Sequence, residues 1–508
     1  MSFARVFGAQ AAIPSAHTVV VEADVTRGLH SFSIVGLPDK AVEEARDRVA
    51  SAINNSGHTS PKAVNKKIVI SLAPATLKKE GAFFDLPVAL SYLLSIEDVS
   101  FETDKRLFAG ELALDGTLRS VRGMLSIALS ARENGFTELF IPEENALEAS
   151  LVSGITIYGA RNLRDVLDHL SDESDFLLDP YIPKKLERKD GKHSVLFESI
   201  RGQEHAKRAL EIAAAGRHNI ALFGPPGTGK TMLARALNTL LPALSEEEII
   251  EVTTIHSFAG VNSGSIITHP PFRAPHHSAS NVSVVGGGTT PRPGEVTLAH
   301  RGILFMDEFP EFARDVINAL RQPLEDRVVS VTRAKGSAMF PANFMLVVAL
   351  NPCPCGHFGT ARCTCMPAQI ERYKKKISGP IADRIDMWVM VGDIPLESMK
   401  TSEKITAKET IAAKKRIRMA LERQARRFKN HSHITTNSDM GASDIEKLSG
   451  ITEAAEKTLL DAAQTMHLSP RGYHRTIKLA CTIADLAESK AVDSEHVLEA
   501  LQYRPKEW

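Results

Sequence analysis

The sequence predicts an α/β protein built around a parallel sheet, with an all-helical part toward its C-terminal end. Three observations support this fold class. Short strand-like runs alternate with helical patterns over the first third of the chain. A glycine-rich turn at 224–231 joins an apolar strand to a helix, and beyond residue 395 the pattern is helical only. We therefore expect more than one domain, with the helical one last.

The chain has 508 residues, which is too many for a single hydrophobic core. The stretch "PYIPKKLERKDGKHS" is charged and contains two prolines, as is typical of a linker. We predict four segments in chain order: an N-terminal α/β domain over 1–178, a linker over 179–195, a central α/β core over 196–395, and a helical domain over 396–508.

The overall charge is balanced, because Lys+Arg and Asp+Glu both number 61. No global charge therefore directs the chain toward nucleic acid or a membrane. No apolar run approaches the ~18 residues that span a bilayer, and the first twenty residues lack the pattern of a secretory signal. We expect a cytoplasmic protein with no membrane contact, whose five cysteines are thiols or metal ligands and not disulfides.

The most specific motif is "GPPGTGKT", which fits G-x-x-x-x-G-K-[ST] between an apolar strand and the helical run "MLARALNTLL". In such a loop the backbone N–H groups surround phosphate oxygens, and the helix N-terminus adds a positive dipole end. Lys230 is expected to reach the β- and γ-phosphates, and Thr231 to hold Mg²⁺. An ordinary strand-to-helix turn is the alternative, but the full motif in this context argues against it. The predicted phosphate-binding residues are Gly224, Pro225, Pro226, Gly227, Thr228, Gly229, Lys230 and Thr231.

Two further apolar strands each end in polar residues that suit phosphoryl transfer. "GILFMDE" ends in Asp307, a candidate Mg²⁺ ligand, and Glu308, which would orient the attacking water. "FMLVVALN" ends in Asn351, which could touch the γ-phosphate or the water. Ligands bind at the carboxyl edge of such parallel sheets, so we expect these side chains to meet the phosphate-binding loop.

Four of the five cysteines lie in the stretch "NPCPCGHFGTARCTC". Cys353, Cys355, Cys363 and Cys365 could form a tetrahedral zinc site that stiffens a short loop, with His357 as a spare donor. A single residue separates the two cysteines of each pair, whereas zinc sites usually have two to four residues between paired cysteines. Reduced structural thiols and redox sensing therefore remain alternatives. Cys481 lies in the helical run "IKLACTIADL" and is expected to be a core residue.

The motifs together resemble those of AAA+ ATPases, and more narrowly of the ComM/YifB family of magnesium-chelatase-like ATPases. The matching stretches are "GPPGTGKTMLA", "FRAPHHSAS", "GGGTTPRPGEVTLAHRGILFMDE", "LRQPLED", "NPCPCG", "GPIADRIDM" and "LSPRGYHRTIKLA". The resemblance implies an AAA+ core with a helical lid, ATP and Mg²⁺ as ligands, and a homo-hexameric ring.

The resemblance also assigns roles to polar side chains. It implies that Asn351 is sensor 1, that Arg384 is an arginine finger acting on the neighbour's ATP, and that Arg471 is sensor 2, with Arg475 as the competing choice. The implied activity is that of an ATP-driven helicase in branch migration of recombination intermediates and in natural transformation. A protein-remodelling ATPase like the magnesium-chelatase motor subunit is the alternative, because the AAA+ part is similar to that enzyme too.

The N-terminal third resembles a Lon-protease-type domain over "FAGELALDGTLRSVRGMLSIALSARENGFTELFIPEENA". A Lon-type protease needs a serine nucleophile and an activating lysine. Phe83 stands at the position of the serine and Leu125 at that of the lysine, and neither can do this chemistry. We therefore expect a non-proteolytic domain that serves assembly or DNA contact.

A motor that moves on single-stranded or branched DNA needs hydrogen-bonding and cationic groups in its pore. The long insertion at roughly 256–298 carries Arg273 and Arg292. "RVVSVTRAKGSAMFPANF" predicts a hairpin with Arg333 and Lys335 at or near its tip. Such tips can bind phosphates without reading bases, although a solvated hairpin with ordinary surface charge is the alternative.

The segment 408–429 predicts a strongly basic helix. It contains nine lysines and arginines against two glutamates, a net charge of +7 in an otherwise neutral chain. Such a helix could contact duplex DNA arms, but basic helices more often face solvent or pair with acidic neighbours.

Overall fold

The computed structural model describes residues 3–182, 197–261, 265–288, 291–333, 336–359, 361–377, 379–392, 408–431 and 433–505. The chain forms two compact units. The first contains Met1–Arg188 and Ser245–Ile267, and the second contains Lys189–Leu244 and Thr268–Trp508. The predicted α/β class with a parallel sheet and a helical C-terminal region is confirmed. Within these described ranges, no helix is both long and apolar enough to cross a membrane.

The first unit contains two main sheets and a two-stranded ribbon. The strands of this unit are β1 (Phe3–Gln10), β2 (His17–Arg27), β3 (Ser31–Val35), β4 (Lys66–Ala73), β5 (Arg106–Phe108), β6 (Glu111–Leu112), β7 (Leu118–Arg119), β8 (Glu138–Pro142) and β9 (Thr156–Ala160). The larger sheet has the order β1-β2-β4-β3, in which only β3 and β4 run parallel. The smaller sheet, β5-β8-β9, is parallel. Side chains of β2 alternate between buried and more exposed positions, as expected for a sheet with one face on the core.

The helices of this unit that precede residue 183 pack with these sheets. They are α1 (Lys40–Asn55), α2 (Asp85–Ser95), α3 (Met124–Glu133), α4 (Glu143–Ala149) and α5 (Leu163–Leu170). Asp39 caps the N-terminus of α1, and its carboxylate accepts a hydrogen bond of 2.9 Å from the N–H of Val42. Leu125 is fully buried in the core, and Phe83 packs against it partly buried. The positions expected for a protease serine and lysine therefore hold packing side chains.

The second unit is built on a five-stranded parallel sheet in the order β11-β14-β17-β10-β18. The strands of this unit are β10 (Ile220–Phe223), β11 (Phe272–Arg273), β12 (Gly286–Gly287), β13 (Arg292–Pro293), β14 (Ile303–Met306), β15 (Val328–Arg333), β16 (Gly336–Pro341), β17 (Met345–Leu350) and β18 (Met387–Met390). All residues of β14 and β17 are buried, which is typical of a parallel sheet covered on both faces. Strands β15 and β16 form the predicted antiparallel hairpin.

Helices surround this sheet, and the described residues beyond 407 form helices joined by loops. The helices from residue 204 onward are α6 (Glu204–Gly216), α7 (Lys230–Leu240), α8 (Glu246–Ala259), α9 (Asn281–Val285), α10 (Glu295–Leu298), α11 (Arg314–Ala319), α12 (Arg321–Asp326), α13 (Pro367–Lys374), α14 (Gly379–Ala382), α15 (Lys408–Arg427), α16 (Ala442–Leu448), α17 (Glu453–Thr465), α18 (Pro470–Leu486) and α19 (Ser494–Gln502). Helices α15 and α18 share one hydrophobic core with α6, α7 and the sheet. The C-terminal helices therefore pack directly on the α/β core.

Helix α8 belongs to the first unit although the chain reaches it from α7 of the second. It begins with a capping box at Ser245 and Glu248 and packs on α3. The hydroxyl of Ser257 accepts a hydrogen bond of 3.0 Å from the N–H of Gly123 and also hydrogen-bonds the buried carboxyl of Glu148. The beginning of the predicted insertion is thus an ordered helix of the N-terminal unit.

Candidate active site

The phosphate-binding loop has the backbone shape that a phosphate cradle requires. Gly227 and Gly229 have φ values of +84° and +87°, and a Cβ built on either meets no atom within 4 Å. The space beside both glycines, at the N-terminus of α7, is therefore open. Gly224 is needed for another reason, because a Cβ there would lie 2.0 Å from the carbonyl oxygen of Val391. The loop fits the phosphates of a nucleotide.

Lys230 lies at the start of α7 with its ammonium group directed into this loop. Its Nζ donates to the carbonyl oxygens of Gly224 and Pro225 at 2.8 and 2.7 Å, and to Oδ1 of Asn351 at 3.1 Å. Burial lowers the pKa of Lys230, while the charge of Asp307 opposes that shift. The sequence-predicted lysine, acid and asparagine thus lie at one carboxyl edge of the sheet.

Thr231 and Asp307 form the candidate Mg²⁺ site. The Thr231 hydroxyl donates a hydrogen bond of 2.9 Å to Oδ2 of Asp307, although the two residues lie on different elements. A hydroxyl and a carboxylate are both oxygen ligands of the kind that Mg²⁺ prefers. Because they meet beside the phosphate-binding loop, the pair fits a metal ion bound together with a triphosphate.

Glu308 follows Asp307 in an unusual backbone conformation. Its φ of +51° is in the left-handed region, which non-glycine residues rarely adopt and which often occurs at functional sites. Its N–H donates to Oδ1 of Asp307 at 2.9 Å. Its carboxylate lies 3.2 Å from Nδ1 of His277, a residue just after β11 that sequence reasoning did not single out. The turn exposes the Glu308 carboxylate at the edge of the sheet.

The four cysteines of the loop after β17 come together as one cluster. Their sulfur atoms all lie within 4.8 Å of one another, and Cys353 is buried while the other three are partly exposed. The Sγ atoms of Cys353, Cys355 and Cys363 are separated by 3.4, 3.9 and 3.8 Å. A tetrahedral zinc with bonds of about 2.3 Å would place its sulfurs about 3.8 Å apart. The cluster therefore fits a zinc ion, with His357 outside the set of four sulfurs.

The electrostatics of the cluster favour one anionic sulfur, that of Cys355. In Cys363 and Cys365 a backbone hydrogen bond lowers the pKa, but burial and the neighbouring sulfur atoms outweigh it and raise the pKa, to about 11 for Cys365. The backbone N–H groups of His357 and Thr364 donate to Cys355 and lower the pKa of that thiol to about 5. Thiolates are the species that bind metal ions. The same loop also contacts the phosphate-binding loop: Gly356, with φ of +82°, lies so close to Pro226 that a Cβ would be 2.5 Å from its Cδ. The cysteine cluster therefore supports the nucleotide site through direct packing.

Arg384 lies at the opposite, amino edge of the same sheet. Asn219, just before β10, donates from Nδ2 to the Arg384 carbonyl at 3.0 Å and accepts from the N–H of Leu346 at 2.8 Å. The Asn219 N–H also donates to the carboxylate of Asp386 at 2.9 Å. These bonds fix Arg384 where β10, β17 and β18 begin. Its side chain is only 8% exposed and pairs with Glu325 of α12 at 2.5 Å.

The two candidates for sensor 2 lie at this amino edge as well. Arg471, in the first turn of α18, lies 3.1 Å from the same Glu325 oxygen. Arg475, one turn further along, lies 3.0 Å from Oδ1 of Asp386. Both arginines belong to the group around Arg384 and not to the group around the phosphate-binding loop.

The candidate DNA contacts have different surroundings. Arg273 donates to both carboxylate oxygens of Glu295, at 2.6 and 2.7 Å. Arg292 is exposed at the short strand β13. The backbone of Arg333 ends β15, but its side chain and the whole of Lys335 lie outside the described residues. The two positions nearest the hairpin tip therefore stay predictions.

The basic helix α15 uses several of its cations inside the second unit. Arg416 donates to both carboxylate oxygens of Glu211, at 3.1 and 2.5 Å. Arg427 makes a similar pair with Asp485. Lys408, Lys415 and other cations of this helix stay exposed. Two carboxylates from distant parts of the chain, Glu211 and Asp485, thus offset part of the net charge of +7.

Sequence reasoning missed the polar partners of the predicted catalytic side chains. His277, Glu325, Asp386 and Asn219 each contact or fix a residue that the motifs identify. Three of them lie within the matching stretches: the second histidine of "FRAPHHSAS", the glutamate of "LRQPLED" and the second aspartate of "DRIDM". The signal was present, but only the folded chain shows which residues these three side chains meet.

Comparison with protein families gives three matches along the chain. The family described as "Magnesium chelatase, subunit ChlI" matches residues 196–401. "Subunit ChlI of Mg-chelatase" matches residues 21–145, and "Magnesium chelatase, subunit ChlI C-terminal" matches residues 407–504. The matches thus reach both units of the structure.

Relatives similar over nearly the full length include two bacterial proteins. The chain is 40% identical to "Competence protein ComM" of Haemophilus influenzae, over 99% of this chain and 98% of that protein. It is 38% identical to "Uncharacterized protein YifB" of Escherichia coli, over 96% and 94% of the two chains. A shorter match, 30% identical, is to the "Magnesium-chelatase 38 kDa subunit" of Cereibacter sphaeroides, over 31% of this chain and 52% of that subunit.

Proposed function

The chain belongs to the ComM/YifB family of magnesium-chelatase-like AAA+ ATPases, and from this membership we propose that it is a ring-forming motor that moves on DNA. As a member of this family it is an ATPase that uses Mg²⁺. The observation that carries the ring proposal is the position of Arg384, at the edge of the sheet away from its own phosphate-binding loop.

The distance across the sheet supports action on a neighbour. Asn219, which fixes Arg384, and Gly224 of the phosphate-binding loop are at opposite ends of β10. At about 3.3 Å per residue this strand separates them by roughly 16 Å. Arg384 is also held among groups at its own edge, so it does not reach the nucleotide of its own chain. A head-to-tail contact that closes into a ring, which we propose to be a hexamer, would bring it to the next subunit's site.

Each residue around the triphosphate has a separate role in phosphoryl transfer. Lys230 binds the β- and γ-phosphates, and Asn351 accepts from its ammonium group and so orients it. Glu308 orients the attacking water from its exposed turn. Mg²⁺, held by Thr231 and Asp307, would neutralise charge on the phosphates. Arg384 of the next subunit supplies positive charge to the transition state, a contribution worth about 10³–10⁵ in rate in other systems.

The DNA part of the proposal is supported by the full-length relative named as a competence protein. Branch migration is the activity that the ComM/YifB resemblance implies. The β15–β16 hairpin and exposed Arg292 supply candidate phosphate contacts. Single-stranded or branched DNA would occupy the ring's pore. Affinity for DNA should then fall as salt rises, because phosphate contacts release counterions.

The decisive experiment is the ATPase rate with and without forked or four-way DNA. Strong stimulation by DNA is the expected result. The Arg384→Ala variant should bind a fluorescent ATP analogue like the parent protein but hydrolyse ATP at least ~10³-fold more slowly. Arg314→Ala, which removes an arginine from α11, is the matched control and should keep its turnover. Parent-like turnover by Arg384→Ala would remove this residue from the site.

A protein-remodelling ATPase of the magnesium-chelatase motor type is the second candidate. One observation favours it: Arg273, a predicted DNA contact, and Arg416 and Arg427 of the basic helix α15 are paired with carboxylates of the same chain. A motor that acts on a partner protein does not need a basic pore. An ATPase rate that no DNA structure changes would favour this second candidate.

We also propose that Cys353, Cys355, Cys363 and Cys365 hold one zinc ion. The sulfur spacing close to that of a zinc tetrahedron supports this assignment. The ion would be structural, because four sulfur ligands close its coordination sphere. Metal analysis of protein purified without chelator tests it, and less than half an equivalent of zinc per chain would discard the site.

A further inference from the structure

Two arginines from distant parts of the chain meet at one carboxylate oxygen. Nη2 of Arg384, between α14 and β18, lies 2.5 Å from Oε1 of Glu325, and Nη2 of Arg471, on α18, lies 3.1 Å from the same atom. Glu325 therefore links the end of the α/β core to the first turn of a C-terminal helix. All three residues belong to the second unit.

The three side chains differ in how firmly they are held. The Arg384 side chain is 8% exposed, whereas those of Arg471 and Glu325 are 59% and 48% exposed. Nη1 of Arg384 donates to the carbonyl of Pro380 at 2.5 Å, and its buried Nε has no hydrogen-bond partner in the described structure. Leaving a buried donor unpaired is costly, so Arg384 is well placed to accept a further anionic partner.

Glu325 reduces the repulsion between the guanidinium groups of Arg384 and Arg471. Two guanidinium groups close to each other repel, and a shared carboxylate removes most of that repulsion. The hydrogen bond from Arg384 lowers the pKa of Glu325, so the carboxylate is charged at neutral pH. The trio keeps one net positive charge. A polar cavity of about 250 Å³ adjoins it, lined also by Arg475, Asp386 and Lys478, and leaves the carboxylate room to move.

We propose that Glu325 is a positioning residue that holds Arg384 and Arg471 together, so that both reach the neighbouring subunit's triphosphate as one unit. The γ-phosphate then replaces Glu325 as the partner of the two guanidinium groups. The inference rests on the proposed ring, because only a neighbour's nucleotide can approach this edge of the sheet. Glu325 itself touches no reacting atom and acts only through the arginines.

The test combines Glu325→Gln with a mixed-ring experiment. Glu325→Gln keeps the side-chain shape and removes its charge. Binding of a fluorescent ADP analogue and ring assembly should be unchanged, while kcat falls at least tenfold with a smaller change in KM. Glu325→Asp should recover part of the lost kcat. Asp326→Asn, an exposed carboxylate on the same helix, is the matched control and should behave like the parent protein.

Rings that contain two kinds of variant subunit show whether Glu325 acts through the arginines or whether its substitution damages the variant subunit's own ATP site. Glu308→Gln subunits cannot orient water but carry intact arginines. Rings mixed from Glu325→Gln and Glu308→Gln subunits should hydrolyse ATP faster than either variant alone, because intact arginines then reach intact sites. The result that overturns the inference is parent-like kcat in Glu325→Gln, or a loss of kcat that mixing does not restore although it restores Arg384→Ala.

The same design separates this inference from the proposed function. Rings mixed from Arg384→Ala and Glu308→Gln subunits test the ring itself. If these rings show no recovery, Arg384 does not act between subunits, and the proposed ring mechanism and the role of Glu325 both fail. If they recover and the Glu325→Gln mixture does not, the ring mechanism stands and only the role of Glu325 is lost.

Discussion

Replacing Asp386 with asparagine tests the charge network at the amino edge of the central sheet. Its carboxylate lies 3.0 Å from Nη1 of Arg475 and accepts a hydrogen bond of 2.9 Å from the N–H of Asn219. Burial alone would raise the pKa of Asp386, but Arg475 and His218 hold it well below its usual value of 3.8. The ionised carboxylate therefore stabilises the folded second unit.

The expected loss follows from which contacts asparagine keeps. Removing one partner of a buried ion pair costs about 3–5 kcal/mol. Asparagine still accepts the bond from Asn219, and the Asp386 side chain retains 11% exposure, so we expect the lower end, about 3 kcal/mol. This corresponds to roughly a hundredfold change in the unfolding equilibrium. Because the pKa is lowered, the loss should be complete above pH 3.8 and should shrink only in stronger acid.

Tryptophan fluorescence offers a local probe for this measurement. Trp388 is buried in β18 two residues from the substitution, and the only other tryptophan of the chain is Trp508. Urea unfolding in a Trp508→Phe background would therefore report on the second unit. Asp461→Asn, an exposed carboxylate on α17, is the control and should change the free energy of unfolding by less than about 0.5 kcal/mol.

A double-mutant cycle assigns the effect to the ion pair. Asp386→Asn and Arg475→Leu should together destabilise the unit by clearly less than the two separate losses added. A loss below about 1 kcal/mol for Asp386→Asn, or losses that simply add, would refute the reasoning, since the carboxylate would then not depend on Arg475.

Three further predictions concern the metal cluster, the first unit and the water-orienting carboxylate. Cys355→Ser should release the metal and weaken binding of a fluorescent ADP analogue, because the cysteine loop packs against the phosphate-binding loop; Cys481→Ser should do neither. Arg48→Leu leaves the buried Asp85 carboxylate without its ion-pair partner. Since burial already raises the pKa of Asp85 to about 6, the first unit should lose about 3 kcal/mol at pH 8 and less at pH 5. His277→Ala should raise DNA-independent hydrolysis a few-fold by freeing the carboxylate that orients water.

Each of these predictions has a contradicting outcome. Unchanged nucleotide affinity after metal loss would separate the cysteine loop from the phosphate site. The unfolding of the Arg48→Leu variant is measured by circular dichroism. If the variant loses the same free energy of unfolding at both pH values, the ionisation of the buried Asp85 carboxyl does not cause the loss. Lower hydrolysis in His277→Ala, measured in assembled rings, would make the imidazole a helper of catalysis.

The place of the candidate nucleotide site could be predicted from the sequence alone, because the residues that line it follow one local rule. Parallel strands present their carboxyl ends at one edge, so polar residues after β10, β14 and β17 must meet there. The turn glycines and the lysine occupy fixed positions in one motif. The tight pairs of cysteines were also visible in the sequence, although their mutual spacing was not.

The partners of the charged side chains, in contrast, could not be predicted from the sequence and depend on the folded chain. The sequence left open whether the cations of α15 contact DNA, face solvent or pair with acids, and the structure pairs Arg416 and Arg427 with acids about two hundred and about sixty residues away. The helical pattern of α8 likewise does not say which unit it packs on. Glu325 meets Arg471 across 146 positions of the chain. A sequence motif predicts the local backbone conformation and the residues adjacent in the chain. An ion pair between distant residues depends instead on how the elements that carry them pack together.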